Sequence, residues 1–399
     1  MKILLIHDYA MEGYGAELQI LNLRDRLRQR GHDVRIFASN ARLVKEGAVL
    51  ADYQCLGTLS HLLTLLQTAN PWAYCKLRSI LHEFKPDLVH IRDFLGQLSP
   101  LILPLLKDIP ALHHVDILRS VCPMNTKVLA DGSICRFKPG TACYRQGCIP
   151  LRSLYFQMLE LWLYKRWRNN FNRTVAVSHS VRQHLLEDGI KTVDVIWNPV
   201  SMREARPPLS SPPSVAFAGR LEGEKGTDIL LKAFKKVLPH IPEARLVIAG
   251  DGKQRDYLNA LISDLGISSN VTMTGFIRRP AMEQVFNSAW VQAIPSLWVE
   301  AFGGVAAEAM IRGTAAIASS IGGLAEIVQH GRTGLLVPPG DVDALAEALK
   351  QILQDRAFAE KMGQAGREYA LEHFDREKYL DKILFIYESM LSQKGERHP

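Results

Sequence analysis

The sequence predicts an α/β chain of two domains, each a parallel sheet covered by helices. Three observations carry that expectation. The chain has 399 residues, more than one hydrophobic core ordinarily organises. Short Val- and Ile-rich runs alternate with longer helical patterns, as strand–helix–strand units require. A stretch dense in Pro, Ser and Arg, residues 201–213, interrupts the alternation once, with strand-like sequence on either side at Val193–Trp197 and Val215–Ala218. The hinge is placed there, giving an N-terminal domain over residues 1–200 and a C-terminal domain over 201–376. A final helix near Glu377–Leu391 is expected to return to the first domain.

In chain order, Ile3–His7 reads as the first strand. A glycine-containing loop, Tyr9–Gly15, leads to a helix from about Ala16 to Gly31, with Leu18, Leu21, Leu23 and Leu27 on its apolar face and glycine as terminator. Val34–Ala38, Leu88–Ile91 and Ala111–Val115 continue the first sheet. After the hinge, strands are expected at Val215–Gly219, Leu246–Gly250, Val271–Phe276, Val291–Ile294, Ala315–Ala318 and Leu335–Val337. No short-period repeat or low-complexity tract is present, which excludes solenoids and disordered arms.

The composition, 47% hydrophobic and 22% charged, is that of a globular chain. Its net charge of +7 is unevenly placed: residues 1–200 hold 25 Lys+Arg against 17 Asp+Glu, the rest 23 against 24. The basic half suits an anionic partner, membrane headgroups or a phosphate-bearing substrate, and charge alone attracts nucleic acid equally. Met1–Ile6 reads as a strand and not as a secretory leader, so a cytoplasmic location is expected. The apolar stretches near Leu98–Leu106 and Leu154–Tyr164 fall short of the roughly 20 residues that span a bilayer.

Two segments carry the chemistry. In Phe217-Ala-Gly-Arg-Leu-Glu-Gly-Glu-Lys-Gly226 a strand runs into Gly219, then Arg220 and Lys225, before a helix opens near Thr227. Glycines let backbone approach a phosphate, helix N-terminal amides face the anion, and two cations neutralise a diphosphate. The bland alternative is a solvated basic turn. In Pro295-Ser-Leu-Trp-Val-Glu-Ala-Phe-Gly-Gly-Val-Ala-Ala-Glu308 two carboxylates stand seven residues apart across a glycine loop and a helix start. Gly303, Gly304 and Val305 offer free amides to phosphate. Glu308, a turn further on, suits two vicinal ribose hydroxyls, while Glu300 stays on the loop facing a sugar. Alone, Glu308 would read as a solvated helix carboxylate.

With these motifs, and with Ala249-Gly250-Asp251-Gly252, Gly275-Phe276 and Gly334-Leu335-Leu336-Val337-Pro338-Pro339, nearly the whole chain resembles the family-4 retaining glycosyltransferases. The resemblance implies a GT-B fold, two Rossmann-like domains facing each other across a cleft, the first holding the acceptor and the second the nucleotide sugar. It implies that Arg220 and Lys225 contact the donor diphosphate, that Glu308 holds the ribose, and that Glu300 touches sugar hydroxyls. Gly219, Gly250 and Phe302 belong to the same donor site, with Phe276 and Ile277 beside the base. Gly13-Tyr-Gly-Ala-Glu17 stands where the family has adjacent glycines, which makes Gly15 the cleft-facing position; its alternative is a plain strand-to-helix turn.

The family often places a His six residues before a Cys-Pro pair. Counting back from Cys122-Pro123, that place holds Asp116, with His113 and His114 in the strand before it. Either the register has slipped to His114 or Asp116 has taken the role, since Asp also accepts a proton or orients a hydroxyl; a buried strand His is the structural alternative. All six cysteines lie in the N-terminal half, four of them as Cys122, Cys135, Cys143 and Cys148. A subset of the family shows a similar insertion. One tetrahedral zinc is one reading of these four, free thiols in a packed loop the other. Between Arg136 and Arg173 basic residues interleave with Tyr155, Phe156, Trp162, Trp167 and Phe171, as in an interfacial segment; its alternative is a domain helix with a solvated basic end at Lys165–Arg168.

The expected activity is transfer of a sugar, with retained anomeric configuration, from a nucleotide-diphosphate donor to a glycan or lipid-linked acceptor in cell-surface polysaccharide or lipopolysaccharide synthesis. A front-face substitution without covalent intermediate is the family expectation. No cofactor or catalytic metal is called for, Arg220, Lys225 and helix amides standing where a cation would. The expected partners are the nucleotide sugar, the acceptor and an anionic membrane surface, without nucleic acid. The rivals are a non-catalytic sugar-nucleotide or glycan-binding protein of the same fold and a dinucleotide-dependent oxidoreductase, the latter lacking a clean G-x-G-x-x-G after the first strand.

Overall fold

The computed structural model describes residues 1–11, 15–41, 49–60, 62–129, 131–277 and 279–395. These divide into two units, one of Met1–Asn198 with Glu377–Pro399 and one of Pro199–Arg376.

The first unit holds a parallel sheet of seven strands: β1 (Lys2–Ile6), β2 (Asp33–Ser39), β3 (Tyr53–Cys55), β4 (Leu88–Ile91), β5 (Ala111–Val115), β6 (Arg173–Ala176) and β7 (Asp194–Val195). Their spatial order is β3-β2-β1-β4-β5-β6-β7. The second unit repeats the plan with β8 (Ser214–Ala218), β9 (Arg245–Ala249), β10 (Val271–Gly275), β11 (Val291–Ile294), β12 (Ala315–Ser319) and β13 (Gly334–Val337), ordered β10-β9-β8-β11-β12-β13. Each sheet therefore reverses its strand order once, between β1 and β4 and between β8 and β11. Loops leaving the carboxyl ends of strands on either side of such a reversal diverge, which opens a crevice there.

The central strands are continuous apolar runs because helices cover both faces. Ile3, Leu4, Leu5 and Ile6 are fully buried, and Ile3 and Leu5 join one core while Leu4 and Ile6 join another. Local chemistry sets the helix ends. The Asn70 side chain accepts from the Ala73 amide at 3.0 Å ahead of Pro71, starting the helix Pro71–Phe84, and Lys85 leaves it at φ 49°. The first helix spans Gly15–Gln29, and Gly31 at φ 82° closes it.

The helix Arg376–Gly395 belongs almost wholly to the first unit. Tyr379, Leu380, Ile383, Ile386, Tyr387 and Met390 recur at three and four residues and pack with Ile3, Leu5, Leu27 and Val34. Strands β3 and β6 were not expected from sequence. Tyr-Gln-Cys and Arg-Thr-Val-Ala are too short and too polar to signal a strand, and neighbours in the sheet supply the ladder.

Candidate functional site

In the second unit, the loop after β8 and the loop after β11 meet at the reversal point. Gly226 (φ 64°) lies so close to the second loop that an added Cβ would sit 2.1 Å from the Pro295 carbonyl oxygen, so only glycine fits. The Leu297 amide donates to the Glu224 carbonyl at 2.8 Å. Across this junction the Lys225 Nζ is 2.6 Å from Glu300 Oε1 and lies 4.6 Å from the Trp298 ring centroid. The Ser296 hydroxyl donates to the same carboxylate oxygen at 2.7 Å. Burial works against ionising Glu300, but Lys225 and the hydroxyl donor outweigh it and hold its carboxyl below the usual range.

The other sequence-derived residues lie on the same and neighbouring loops of the second unit. Arg220 is exposed and pairs with Glu224 at 3.1 Å. Gly219 and Gly250 are in direct contact: a Cβ on Gly250 (φ 155°) would fall 1.8 Å from the Gly219 carbonyl oxygen. The Gly250 amide donates to the Gly275 carbonyl at 2.9 Å, which aligns the ends of β8, β9 and β10. Beyond them Phe276 stands 66% exposed, while Ile277 packs with Ala216, Ala249 and Phe286.

Gly303 (φ 90°) is the N-cap of the helix Gly304–Arg312, so the Gly304 and Val305 amides head a helix where no intrahelical acceptor exists. Phe302 is buried edge-on to Phe374, 5.7 Å between centroids. Glu308 lies further along the same helix, with Oε1 3.9 Å from Arg203. Sequence reasoning passed over Arg203, because a lone Arg in a Pro- and Ser-rich stretch carries no motif.

In the first unit the reversal point is also bridged, by residues that carried no sequence signal. His7 Nε2 lies 3.6 Å from Asp93 Oδ2. The Asp8 carboxylate accepts the amides of Gly96, Gln97 and Leu98 at 2.6, 2.7 and 3.0 Å. Burial nonetheless pushes Asp8 up to about 6. Burial opposes a charge on His7 as well, but Asp93, Glu17 and Asp8 together raise it. Only their place at the carboxyl ends of β1 and β4 could have marked these residues. Gly15 is the first residue of its helix and is exposed, and a Cβ there would meet nothing within 4 Å. Gly13 lies outside the described residues.

Asp116 is buried and accepts a bidentate guanidinium from Arg92, whose Nη2 also donates to Asn198 Oδ1 at 2.8 Å. Asn198 donates to Asp116 at 3.1 Å. Burial opposes the charge, but these partners hold Asp116 well below the usual carboxylate range, which makes it a poor proton acceptor and suits it to orient neighbours. His113 and His114 point to opposite faces of β5. His113 stacks on Phe171 at 4.6 Å and His114 on His90 at 5.4 Å, and burial lowers both to about 3. Neutral at physiological pH and enclosed, both match the structural reading of a strand His.

Cys122, Cys135, Cys143 and Cys148 are half-buried free thiols. Burial and the three neighbouring sulfurs raise Cys148. Among the described residues no group of three or more His, Cys, Asp or Glu side chains is placed to hold a metal ion. The aromatic-basic segment divides by face. Tyr164 is buried beside the partly buried Trp167 and Phe171, whereas Leu151, Tyr155 and Trp162 are 61%, 69% and 59% exposed. Lys165 and Arg168 are not a free basic end: both pair with Asp188, at 2.6 and 2.5 Å. No helix among the described residues is long and apolar enough to cross a membrane.

Comparison with known proteins follows the same two-part division. Residues 14–204 match the Glycosyltransferase Family 4 model and residues 201–369 the model of Glycosyl transferases group 1. An uncharacterized glycosyltransferase of Methanocaldococcus jannaschii is 35% identical over 181 residues, 45% of this chain and 46% of that one. A GDP-mannose-dependent alpha-(1-6)-phosphatidylinositol monomannoside mannosyltransferase of Mycobacterium tuberculosis is 36% identical over 167 residues, 40% of this chain and 43% of its own length. These alignments thus span less than half of each relative. The Anabaena protein HepE, solved in complex with UDP, superposes with a TM-score of 0.69 at 20% identity, covering 98% of this chain and 100% of that one, and shares the fold.

Proposed function

The chain belongs to the family-4 glycosyltransferases, with the GT-B fold, and from that premise we propose that it transfers a sugar, with retention, from a nucleotide-diphosphate donor to a glycan or lipid-linked acceptor. The observation that carries the reading is the reversal point of the second sheet, where Lys225 and Glu300 meet across two loops fastened to each other at Gly226, the second loop running into the helix that carries the Gly304 and Val305 amides and Glu308. Such a crevice suits a nucleoside diphosphate: amides and Lys225 toward phosphate, Glu308 toward ribose, Phe276 and Ile277 beside the base. The relatives that act on GDP-mannose or hold UDP support a nucleotide sugar as donor.

In this mechanism Lys225 and Arg220 stabilise the charge that develops on the departing diphosphate, and Glu300 accepts hydrogen bonds from sugar hydroxyls. The Lys225–Glu300 pair holds both groups in place before the donor arrives, which lowers the ordering cost of binding. In the first unit, Asp93 with His7 and Asp116 with Arg92 are the groups proposed to orient the acceptor hydroxyl. The exposed apolar face of the helix Leu151–Trp167 and the positive charge of residues 1–200 support an acceptor presented at an anionic lipid surface; the phosphatidylinositol-linked acceptor of the mycobacterial relative agrees.

The test is ligand-induced stabilisation followed by turnover. UDP or GDP is expected to raise the melting temperature, since a ligand confined to the folded state stabilises it. Glu308→Ala is expected to weaken nucleotide binding by about tenfold or more, leaving ribose hydroxyls poorly paired. Lys225→Ala should cut turnover more than it cuts stability. Binding unchanged by Glu308→Ala would remove the carboxylate from the donor site, and binding without sugar release from any donor would favour a non-catalytic binder.

A further inference from the structure

Glu308 stands at one end of a line of alternating charges in the second unit. Its Oε1 faces Arg203 Nη2 at 3.9 Å. The other guanidinium nitrogen of Arg203 pairs with Glu283 Oε1, and Glu283 Oε2 accepts from Arg312 Nε at 3.1 Å. Arg312 is 1% exposed and donates onward to Gln292 Oε1 on β11, also at 3.1 Å. The backbone of Arg203 is fixed as well, its carbonyl accepting from Arg367 Nη2 at 2.9 Å. Three separate segments therefore aim one guanidinium at Glu308: the stretch after Pro199, the helix Arg279–Phe286 and the helix Arg356–His373.

We infer that Arg203 is a positioning residue for nucleotide recognition, turning the Glu308 carboxylate toward the ribose and thereby setting the preference for ribonucleotides over 2′-deoxyribonucleotides. The inference rests on the reading of Glu308 as the ribose acceptor. The Glu308 side chain is 26% exposed, and a cation fixed to one side of its carboxylate favours the rotamers that face it. Charge count supports the role. Glu283 pairs with the buried Arg312, whose charge also acts on Glu308, so two arginines and two glutamates balance, and the second nitrogen of Arg203 is turned to Glu308. A planar fork bridges two carboxylates in this way, whereas a lysine, a point charge, holds one.

Calorimetric titration with UDP and GDP, and with their 2′-deoxy counterparts, tests this. The ribonucleotide that binds should lose about tenfold in affinity in Arg203→Met, as a carboxylate without its aiming charge pairs poorly with both hydroxyls, while its 2′-deoxy analogue, which keeps one of the two, loses less than about threefold. In a Glu308→Ala background the Arg203 substitution should have no further effect. Arg203→Lys, which retains a cation beside Glu283, covers the case in which the methionine variant fails to fold, and it too should lower the ribose preference.

Equal losses for ribo- and deoxyribonucleotides, or losses that simply add to those of Glu308→Ala, would overturn the positioning role. If Glu308→Ala itself binds ribonucleotides as tightly as the parent, the ribose reading has failed and the inference falls with it. If Glu308→Ala weakens binding but the Arg203 variants keep the full ribose preference, only the positioning role is lost.

Discussion

Glu160 is 2% exposed on the helix Leu151–Trp167, and burial pushes its carboxyl up to about 7, against the opposing pull of Arg119 at 3.0 Å. Between its ordinary 4.5 and about 7 the folded chain keeps a proton that the unfolded chain has released. Stability therefore falls as pH rises through that window and is level above it. The span corresponds to about 3 kcal/mol at most. Glu160→Gln removes the ionisation, so urea unfolding should show the variant gaining on the parent between pH 4.5 and pH 8; an equal difference at both pH values would mean that Glu160 does not titrate in the folded state. At this same scale, sequence named Lys225, Glu300 and Glu308 because they fall within motifs of fixed spacing. It offered Asp116 either to accept a proton or to orient a hydroxyl, and could not choose because the Arg92 partner, 24 residues earlier, has no spacing that a local reading can detect.

The helix Arg376–Gly395 shows how an element acquires a role through what it covers. It lays Ile383 (0% exposed) on the core of β1 and β2, and sets the Tyr387 hydroxyl 2.6 Å from His90 Nδ1 and the Tyr379 hydroxyl 3.4 Å from Arg92 Nη1. The two ends of the chain are joined further by Arg26 and Arg30, each within 2.7 Å of Glu377; such exposed pairs add little energy, so burial carries the docking. Ile383→Ala should cost about 3 kcal/mol in denaturant unfolding, the range for a large buried aliphatic truncated to Ala. A cost below about 1 kcal/mol would show that this helix is dispensable to the first unit. The 3- and 4-residue apolar spacing forecast the helix itself. Partners such as Ile3, Leu5 and Val34, more than 300 residues away, hold it on the first sheet.

At the scale of the whole molecule, basic charge and exposed aromatic surface coincide in the first unit. Leu151, Tyr155 and Trp162 share one face of their helix, and Arg145, Arg152 and Arg166 are exposed alongside. Replacing those three arginines with Gln should weaken binding to anionic vesicles by about 1 kcal/mol per charge, and raising salt should do the same, because surface attraction is screened over about 10 Å at 0.1 M. Lys165 and Arg168 make a poorer test, since Asp188 holds both. Co-sedimentation indifferent to lipid charge and to these substitutions would overturn the membrane reading and leave the basic half to a phosphate-bearing acceptor. By itself the sequence determined two α/β domains, their hinge region and the donor-side motifs, because periodicity, glycine placement and short-range spacing are local properties that the chain carries wherever it goes. Only tertiary structure decided that Lys225 meets Glu300, that Arg203 faces Glu308, that Asp116 is held by Arg92, and that His7 faces Asp93. The pairs Lys225–Glu300, Asp116–Arg92 and His7–Asp93 sit in loops at the carboxyl ends of neighbouring strands, and parallel sheet order, set by burial of both faces, brings such loops together across sequence separations that no local pattern encodes.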